Sequence, residues 1–189
     1  MNEIIGLYLN FGKKIYKSII IDFGGSKLNI RLYQDDDFED VINLVAKFRI
    51  ALAKLKDRDK EKDLISAQKE LNNYIKKEYP IYVAGNDEKI VGYLVCRVED
   101  DVVWAESLYV LPDYRQRGIG TSLYEKAEKL ADDLGSDTVY NWIHPNNDKI
   151  INFLKKQGYD VLNLIEIRKK RKNEEGNSKV NVNEYEFNY

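Results

Sequence analysis

Cysteine, histidine and proline are scarce in this chain of 189 residues, which has one cysteine, one histidine and three prolines. Cys96 has no second cysteine for an internal disulfide. Cys96 and His144 together supply too few soft ligands for a Cys/His zinc site. We therefore expect no metal and a reducing, cytoplasmic setting.

Long hydrophobic runs are also missing. Apolar stretches such as residues 19–21 and 102–105 are far shorter than the ~20 residues that a membrane-spanning helix needs. Lys13, Lys14 and Lys17 interrupt the apolar N-terminal segment, and no small-residue cleavage site follows it. We therefore expect this segment to belong to the fold and not to a signal peptide, and we expect no membrane partner.

Neither sign of charge dominates. The chain has 30 Lys and Arg and 32 Asp and Glu, for a formal net charge of −2. This balance gives no overall attraction for nucleic acid or anionic lipid. The basic run at residues 168–172 is followed by Glu174 and Glu175, which favours a solvated turn. Nucleic-acid contact through this run stays a remote alternative.

The length and the 43% hydrophobic content are enough for one domain with a core. The N-terminal segment is ambiguous, because residues 4–15 suit a helix whereas residues 17–23 suit a strand. We assign residues 1–26 to an N-terminal extension packed on the fold. Residues 27–189 form the predicted main domain.

Hydrophobic periodicity predicts the order of elements in the main domain. Asp36 and Glu39 have the spacing of a capping box at the start of the first helix. The predicted elements are a strand at 27–33, helices at 38–55 and 59–77, strands at 81–84, 90–98 and 102–110, a helix at 119–134, a strand at 138–143, a helix at 147–157, and strands at 159–167 and 180–187. This order predicts an α/β (α+β) fold, with a mixed, mostly antiparallel central sheet flanked by helices and a right-handed crossover.

Residues 110–123 read V-L-P-D-Y-R-Q-R-G-I-G-T-S-L and lie where a strand leads into a helix. A helix N-terminus presents unpaired N–H groups and partial positive charge. Gly118 and Gly120 lack side chains that would block an anion, and Arg115 and Arg117 add positive charge. The segment is therefore a candidate pyrophosphate cradle.

Spacing excludes two familiar phosphate loops. A dinucleotide fingerprint needs a third glycine where Leu123 stands, and a Walker A loop needs Gly-Lys-Ser/Thr where this chain has Gly120-Thr121. From the glycines alone, an ordinary glycine-rich helix start remains an equal alternative.

Arg115-Gln116-Arg117-Gly118-Ile119-Gly120 resembles the R/Q-x-x-G-x-G/A signature of the GNAT N-acetyltransferase superfamily. A strand ending in Leu-Tyr-Val and a Pro-x-Tyr-Arg turn precede it, as in that family. Downstream, residues 144–147, Phe153 and Gly158-Tyr159 resemble the family's asparagine-containing helix and Gly-aromatic step. The similarity spans residues 102–159. It implies acetyl-CoA or a related acyl-CoA as donor, and an amine as acceptor.

The resemblance also implies residue roles. It places the pantetheine arm against the main chain of Leu108, Tyr109 and Val110, and it gives Asn147 a cofactor contact. Leu154 stands where the family often has a tyrosine that acts as general acid. The pyrophosphate would lie on the main-chain N–H groups of Gln116, Arg117, Gly118, Ile119, Gly120 and Thr121.

Two side chains are candidates for catalysis. By strict strand alternation Glu106 shares a face with Val102, Trp104, Leu108 and Val110, and an apolar face would raise the pKa of a carboxyl toward that of a useful general base. Some family members place their basic glutamate at a matching position. Tyr140 is a weaker candidate, for the missing acid. For both residues, a structural role is the alternative.

We therefore expect an N-acetyltransferase that moves an acetyl group from acetyl-CoA to a primary amine. The amine is carried by a small molecule, a peptide or a protein. The alternative is a non-catalytic acyl-CoA-binding or sensing module of the same fold, because Leu154 removes one expected catalytic group. The sequence leaves the acceptor open, and it leaves a homodimer open as well.

Overall fold

The computed structural model describes residues 19–23, 26–86, 88–170, 172 and 179–188. The chain divides into two compact units, Met1–Ile151 and Asn152–Tyr189. The first unit contains strands β1 (Ile19–Phe23), β2 (Ser26–Leu32), β3 (Ile81–Gly85), β4 (Ile90–Glu99), β5 (Val102–Val110) and β6 (Val139–Tyr140), with helices α1 (Phe38–Lys54), α2 (Leu64–Lys76) and α3 (Ile119–Asp133). Helix α4 covers Asp148–Lys156, and strands β7 (Lys179–Val182) and β8 (Tyr185–Asn188) form a hairpin in the second unit.

The sheet of the first unit has six strands in the order β1-β2-β3-β4-β5-β6. Neighbouring strands are antiparallel except for β5 and β6, which are parallel and joined through α3. The mixed, mainly antiparallel sheet flanked by helices confirms the predicted fold class. The helical interpretation of residues 4–15 lies outside the described residues, and the boundary after residue 26 stays a prediction.

Helices cover both faces of the sheet. Side chains alternate between the faces of a strand, so Gly92 and Tyr93 of β4 face opposite sides. On the Tyr93 side, Phe48 of α1 packs against Tyr109 of β5 with ring centroids 6.0 Å apart. On the Gly92 side, a Cβ atom at that glycine would lie 3.4 Å from Leu123 of α3. Gly92 therefore lets α3 approach the sheet closely, and this holds the N-terminal end of α3 beside the end of β5.

The cap of α1 differs from the predicted Asp36–Glu39 box. A short 3-10 helix, Asp35–Asp37, precedes α1, and the Asp37 carboxylate accepts the Gln34 N–H at 2.8 Å. The same carboxylate accepts two hydrogen bonds from Arg31 of β2, at 2.6 and 2.8 Å. The Asp37 carboxylate, held by Arg31, therefore caps the 3-10 helix. Asp37 is also the N-cap residue of α1, but its side chain makes no cap hydrogen bond to that helix.

The C-terminal strand predictions are wrong in two places. Residues 159–167 form no strand, and apolar side chains such as Val161 and Leu162 are exposed. The predicted strand 180–187 is instead the β7–β8 hairpin, which turns at Asn183 with φ 53°. Alternation shows only that a segment could pair, whereas a strand also needs a partner in register. Asparagine readily adopts positive φ, which was the missed turn signal.

In the described part of the chain, no helix is both long and apolar enough to cross a lipid bilayer.

Candidate active site

The loop after β5 has the strand–turn–helix form that the sequence predicts. Residues Pro112–Tyr114 make one 3-10 turn, with the Tyr114 N–H donating to the Leu111 carbonyl at 2.9 Å. Gln116 and Gly118 have φ values of 59° and 83°, and α3 begins directly after them. Gly118 adopts this left-handed geometry without Cβ strain, whereas Gln116 carries a small cost of the kind that concentrates in binding loops.

The N-terminus of α3 offers main-chain donors. The Ser122 N–H donates to the Gly118 carbonyl at 2.9 Å, and this is the first i→i−4 bond of the helix. The N–H groups of Ile119 and Gly120 precede that bond, so no carbonyl of their own helix can accept from them. They lie at the positive end of the helix dipole. This arrangement suits a phosphate or pyrophosphate.

The two arginines of the loop behave differently. The Arg115 Nε donates to the Val110 carbonyl at 2.8 Å, and its guanidinium lies 5.2 Å from the centroid of the Tyr109 ring. The side chain therefore folds back onto the end of β5, where it fastens the loop to the strand. The assignment of Arg115 to cofactor binding stays a prediction. Arg117 is exposed beside Gly118.

Strand β5 has an open edge. The parallel pairing with β6 consists of Val103 with Val139 and Trp104 with Tyr140. The predicted strand 138–143 ends at Tyr140, while β5 continues to Val110. Beyond Trp104, no strand described in the structure lies along the β6 side of β5. This open edge of β5 leads toward the α3 N-terminus.

Main-chain direction along this edge follows from the pairing with β4. The Leu111 N–H donates to the Val91 carbonyl of β4 at 2.9 Å. Successive main-chain groups of a strand point to opposite sides, so the groups of Tyr109 face β4 and those of Leu108 and Val110 face the open edge. Of the three residues predicted to contact pantetheine, Leu108 and Val110 therefore present their main-chain groups to the open edge of β5. The Tyr109 main chain does not.

A β-bulge interrupts β5 at Glu106. Val95 of β4 pairs with Ser107, but the next residue, Cys96, pairs with Ala105, so Glu106 has no residue opposite. Bulges re-aim side chains and are frequent beside active sites. The main chain thus changes direction at the predicted general base.

The bulge overturns the predicted alternation. Trp104 pairs with Arg97, whereas Leu108 pairs with Leu94. Arg97 is three positions after Leu94, so the two side chains lie on opposite faces of β4. Their partners on β5 therefore lie on opposite faces as well. Trp104 therefore does not share a face with Leu108. The predicted common apolar face around Glu106 is absent, because an extra residue reverses the alternation.

Glu106 lies next to a cation instead of apolar side chains. Its Oε2 is 3.2 Å from the Nε of Arg97, and its side chain is 29% exposed. Arg97 is only 13% exposed and also donates from Nη1 to Glu99 at 2.8 Å. Sequence reasoning missed Arg97, although a single charge inside the apolar run of β4 was a signal.

Aromatic side chains surround Arg97. We call Trp104, Tyr140 and Trp142 the aromatic cluster. Trp104 lies 5.0 Å from both Tyr140 and Trp142 between ring centroids, and the Arg97 guanidinium is 4.7 Å from the centroids of both indoles. Tyr140 thus packs against Trp104. This contact agrees with the structural role that is the alternative to general acid catalysis.

A buried hydrogen bond fixes β5 beside the bulge. The hydroxyls of Tyr93 and Ser107 are 2.7 Å apart, and both residues are buried. Burial raises the pKa of the Tyr93 phenol, so this group stays neutral. Burial likewise raises the pKa of Tyr109, with Arg115 opposing the shift. Neither phenol is a base near neutral pH.

The loop before α4 is built around Asn147. The Asn147 N–H donates to the His144 carbonyl at 2.8 Å, and its Oδ1 accepts the Ile150 N–H at 3.4 Å. Asn147 is thus placed as the cap of α4, and a cofactor contact would have to use its Nδ2 hydrogens. Burial and nearby Lys56 lower the pKa of His144, whose Nδ1 accepts the Asn146 N–H at 3.3 Å. His144 is therefore a neutral turn residue.

Leu154 lies in α4 within the second unit and is buried. A leucine side chain has no proton to donate, so Leu154 cannot be the general acid.

Cys96 is fully buried in β4, as its apolar context predicts. Burial raises the pKa of its thiol far above the usual range, so thiolate is scarce near neutral pH. We expect Ellman's reagent to label Cys96 at least ~100-fold more slowly in the native protein than in denaturant. Rapid stoichiometric labelling of native protein would contradict this. Slow labelling of Cys96 would also allow the same reagent to measure the free CoA that acetyl transfer releases from acetyl-CoA.

Comparisons with known proteins agree with this geometry. Residues 43–159 match the family model of the Acetyltransferase (GNAT) family. An acetyltransferase of Pectobacterium atrosepticum is 27% identical over 144 residues, which cover 76% of this chain and 95% of that protein. An uncharacterized N-acetyltransferase of Methanocaldococcus jannaschii is 31% identical over 91 residues, and this match spans only 40% of that protein and 44% of this chain.

Among solved structures, the fold is similar to that of AAC(6′)-Iy in complex with a bisubstrate analog, CoA-S-monomethyl-acetylneamine. The TM-score is 0.60 at 17% identity, and the alignment covers 77% of this chain and 99% of that one. This likeness shows a shared fold, and the relatives matched by sequence are acetyltransferases. The family model covers more than half of the chain, and the protein belongs to the GNAT acetyltransferase family.

Proposed function

We propose that this protein transfers an acetyl group from acetyl-CoA to a primary amine by direct attack while both substrates are bound. The observation that carries the proposal is the open edge of β5, which runs from the bulge at Glu106 to the donor-rich N-terminus of α3. One continuous path thus offers hydrogen bonds for an extended amide chain and then for an anion.

Donor binding would use main-chain groups. The pyrophosphate of acetyl-CoA accepts N–H groups from the segment Gln116 to Thr121, at the positive end of α3. The pantetheine arm lies along Leu108 and Val110. Because Arg115 already occupies the Val110 carbonyl, the Val110 N–H and the main chain of Leu108 are the groups left for the pantetheine amides.

In the proposed reaction, the neutral amine nitrogen attacks the thioester carbonyl carbon. A main-chain N–H of β5 stabilises the negative charge on the carbonyl oxygen. Glu106, directly or through water, makes this nitrogen neutral by taking a proton from the ammonium form of the acceptor before attack. The C–S bond then breaks to release the CoA thiolate, and the second proton that the nitrogen loses passes to the thiolate or to water. Holding the amine and thioester together supplies much of the rate gain.

The competing proposal is a non-catalytic acyl-CoA-binding or sensing module, which the leucine at position 154 favours. A thiol-release assay with acetyl-CoA separates the two. The acceptor panel should contain spermidine, kanamycin, a free amino acid, a peptide with a free N-terminus and a peptide with an internal lysine. Kanamycin is included because the structural neighbour is an aminoglycoside N-acetyltransferase. Acetyl-CoA binding without turnover of any amine would favour the sensing module.

Departure of the thiolate needs no dedicated acid in this proposal. We take the unperturbed pKa of the CoA thiol to be near the ~8.5 of cysteine, so the thiolate is a stable leaving group at neutral pH. Tyr140→Phe should therefore leave turnover nearly intact, because the ring still stacks on Trp104. Leu154→Tyr should give no large gain. Steady-state kinetics with the best acceptor of the panel measure both.

Two results would contradict this account of the leaving group. A loss near 100-fold in Tyr140→Phe would make Tyr140 the acid. A tenfold or greater gain in Leu154→Tyr, with acetyl-CoA affinity unchanged, would mean that thiolate protonation limits the rate.

A further inference from the structure

We propose that Arg97 is a positioning residue for Glu106, and that the indoles of Trp104 and Trp142 hold Arg97 in place. The inference rests on the proposed function, because it assigns Arg97 a role through the general base. Arg97 lies on the strand beside the bulge, and its Nε is 3.2 Å from the Glu106 carboxylate. A guanidinium stays charged at all working pH values, so it attracts the carboxylate throughout.

The guanidinium packs against both indoles. Its central carbon lies 4.7 Å from the ring centroid of Trp104 and 4.7 Å from that of Trp142, and the two indoles are neighbours with centroids 5.0 Å apart. Cation–π contacts of this kind strengthen as water is removed. In addition, Glu99 accepts a hydrogen bond from Nη1. These contacts fix a long, flexible side chain at the edge of the reaction centre.

The contact to Glu106 is electrostatic and not a formed hydrogen bond. In the described residues, Nε and Nη2 of Arg97 are buried and have no hydrogen-bond partner, although Nε is within ion-pair distance of Oε2. The Glu106 oxygens thus keep their lone pairs, which a proton acceptor needs. A bidentate pair would have engaged both oxygens.

A purely structural ion pair is the competing explanation, and it fits the geometry less well. Burying a charged guanidinium costs desolvation free energy, and an apolar residue of similar size often serves a core equally well. Trp142 is 73% exposed, so it adds little burial of its own. This destabilising placement of Arg97 lies beside Glu106, the carboxylate at the bulge, and this favours a role for Arg97 in the reaction.

The test compares Arg97→Lys, Arg97→Met, Glu106→Gln and the double variant Arg97→Met/Glu106→Gln. The assay uses acetyl-CoA and whichever amine of the panel has the highest kcat/KM. We expect Arg97→Met to lower kcat about 10- to 100-fold while leaving the KM for acetyl-CoA unchanged, because a misdirected base costs rate and not donor binding. Arg97→Lys should restore most of kcat. The double variant should be no slower than Glu106→Gln alone, since Arg97 acts through Glu106.

Arg49→Met is the matched control. Arg49 is a partly exposed arginine that pairs with Glu70 and lies over the Phe48 ring, so its removal deletes an ion pair and a cation–π contact that do not involve Glu106. Its kcat should stay near wild type even if its melting temperature falls. If Arg97→Met does not fold, Trp142→Ala replaces it, because that exposed side chain can be removed and should loosen Arg97 and lower kcat at least threefold.

Several outcomes would overturn the inference. These are an unchanged kcat in Arg97→Met or its substitute Trp142→Ala, an equal loss in Arg49→Met, no rescue by lysine, or losses that add in the double variant. An unchanged kcat in Glu106→Gln would also overturn it. None of these touches the proposed acetyl transfer, which wild-type product formation tests by itself.

Discussion

Replacing Glu106 with glutamine should lower turnover near neutral pH about 100-fold or more while acetyl-CoA binding persists. Glutamine keeps the shape of the side chain at the bulge but cannot accept the proton of the amine. Raising the pH should recover part of the rate, because more of the acceptor is then already neutral. Steady-state kinetics across pH, with acetyl-CoA affinity measured separately by calorimetry, check this prediction.

The matched control for this variant is Glu70→Gln. Glu70 is also a partly exposed glutamate paired with an arginine, but its partner is Arg49 and not Arg97. It should retain most of the wild-type turnover. A Glu106→Gln enzyme with unchanged turnover and pH profile would return Glu106 to a structural role as the ion-pair partner of Arg97.

Acetyl-CoA should stabilise the wild-type fold, and Gly120→Val should remove most of that stabilisation. At a concentration of ~100 times its dissociation constant, a ligand that binds only the folded state contributes about 2.7 kcal/mol. A valine at Gly120 would place a branched side chain in the first turn of α3, against the anion. Thermal melting with and without acetyl-CoA measures the shift for each variant against its own ligand-free state.

Glu125→Val controls for the helix propensity of valine. This exposed position lies in α3 beyond the first turn, so the ligand-induced shift should survive there. Equal shifts in wild type and Gly120→Val would count against the cradle. No shift of the wild type with any acyl-CoA would contradict the donor assignment altogether.

Much of this fold follows from local patterns in the chain. The apolar residues of α1 recur at helical spacing, and the strands β3, β4 and β5 are bounded by turn residues that the sequence displays. The glycine-rich start of α3 also needs only local information, because Gly118 adopts its left-handed geometry and the helix N-terminus carries its own donors. Each of these elements is determined by residues that are close to it in the sequence.

The errors share one physical origin, which is that each depends on how two elements meet and not on either element alone. A strand at residues 159–167 would need a neighbour in register. The Asp37 carboxylate is held by Arg31 of β2, and the Arg115 side chain folds back onto the Val110 carbonyl at the end of β5.

At the candidate site, the sequence by itself determined the glycine-rich turn between strand and helix, and the presence of a carboxylate on the strand before it. Only the tertiary structure decided what surrounds that carboxylate. One unmatched residue between β4 and β5 reverses the alternation at Glu106 and brings it beside Arg97, which packs against two neighbouring indoles. A bulge is a property of two strands together, so neither strand's sequence reveals it alone.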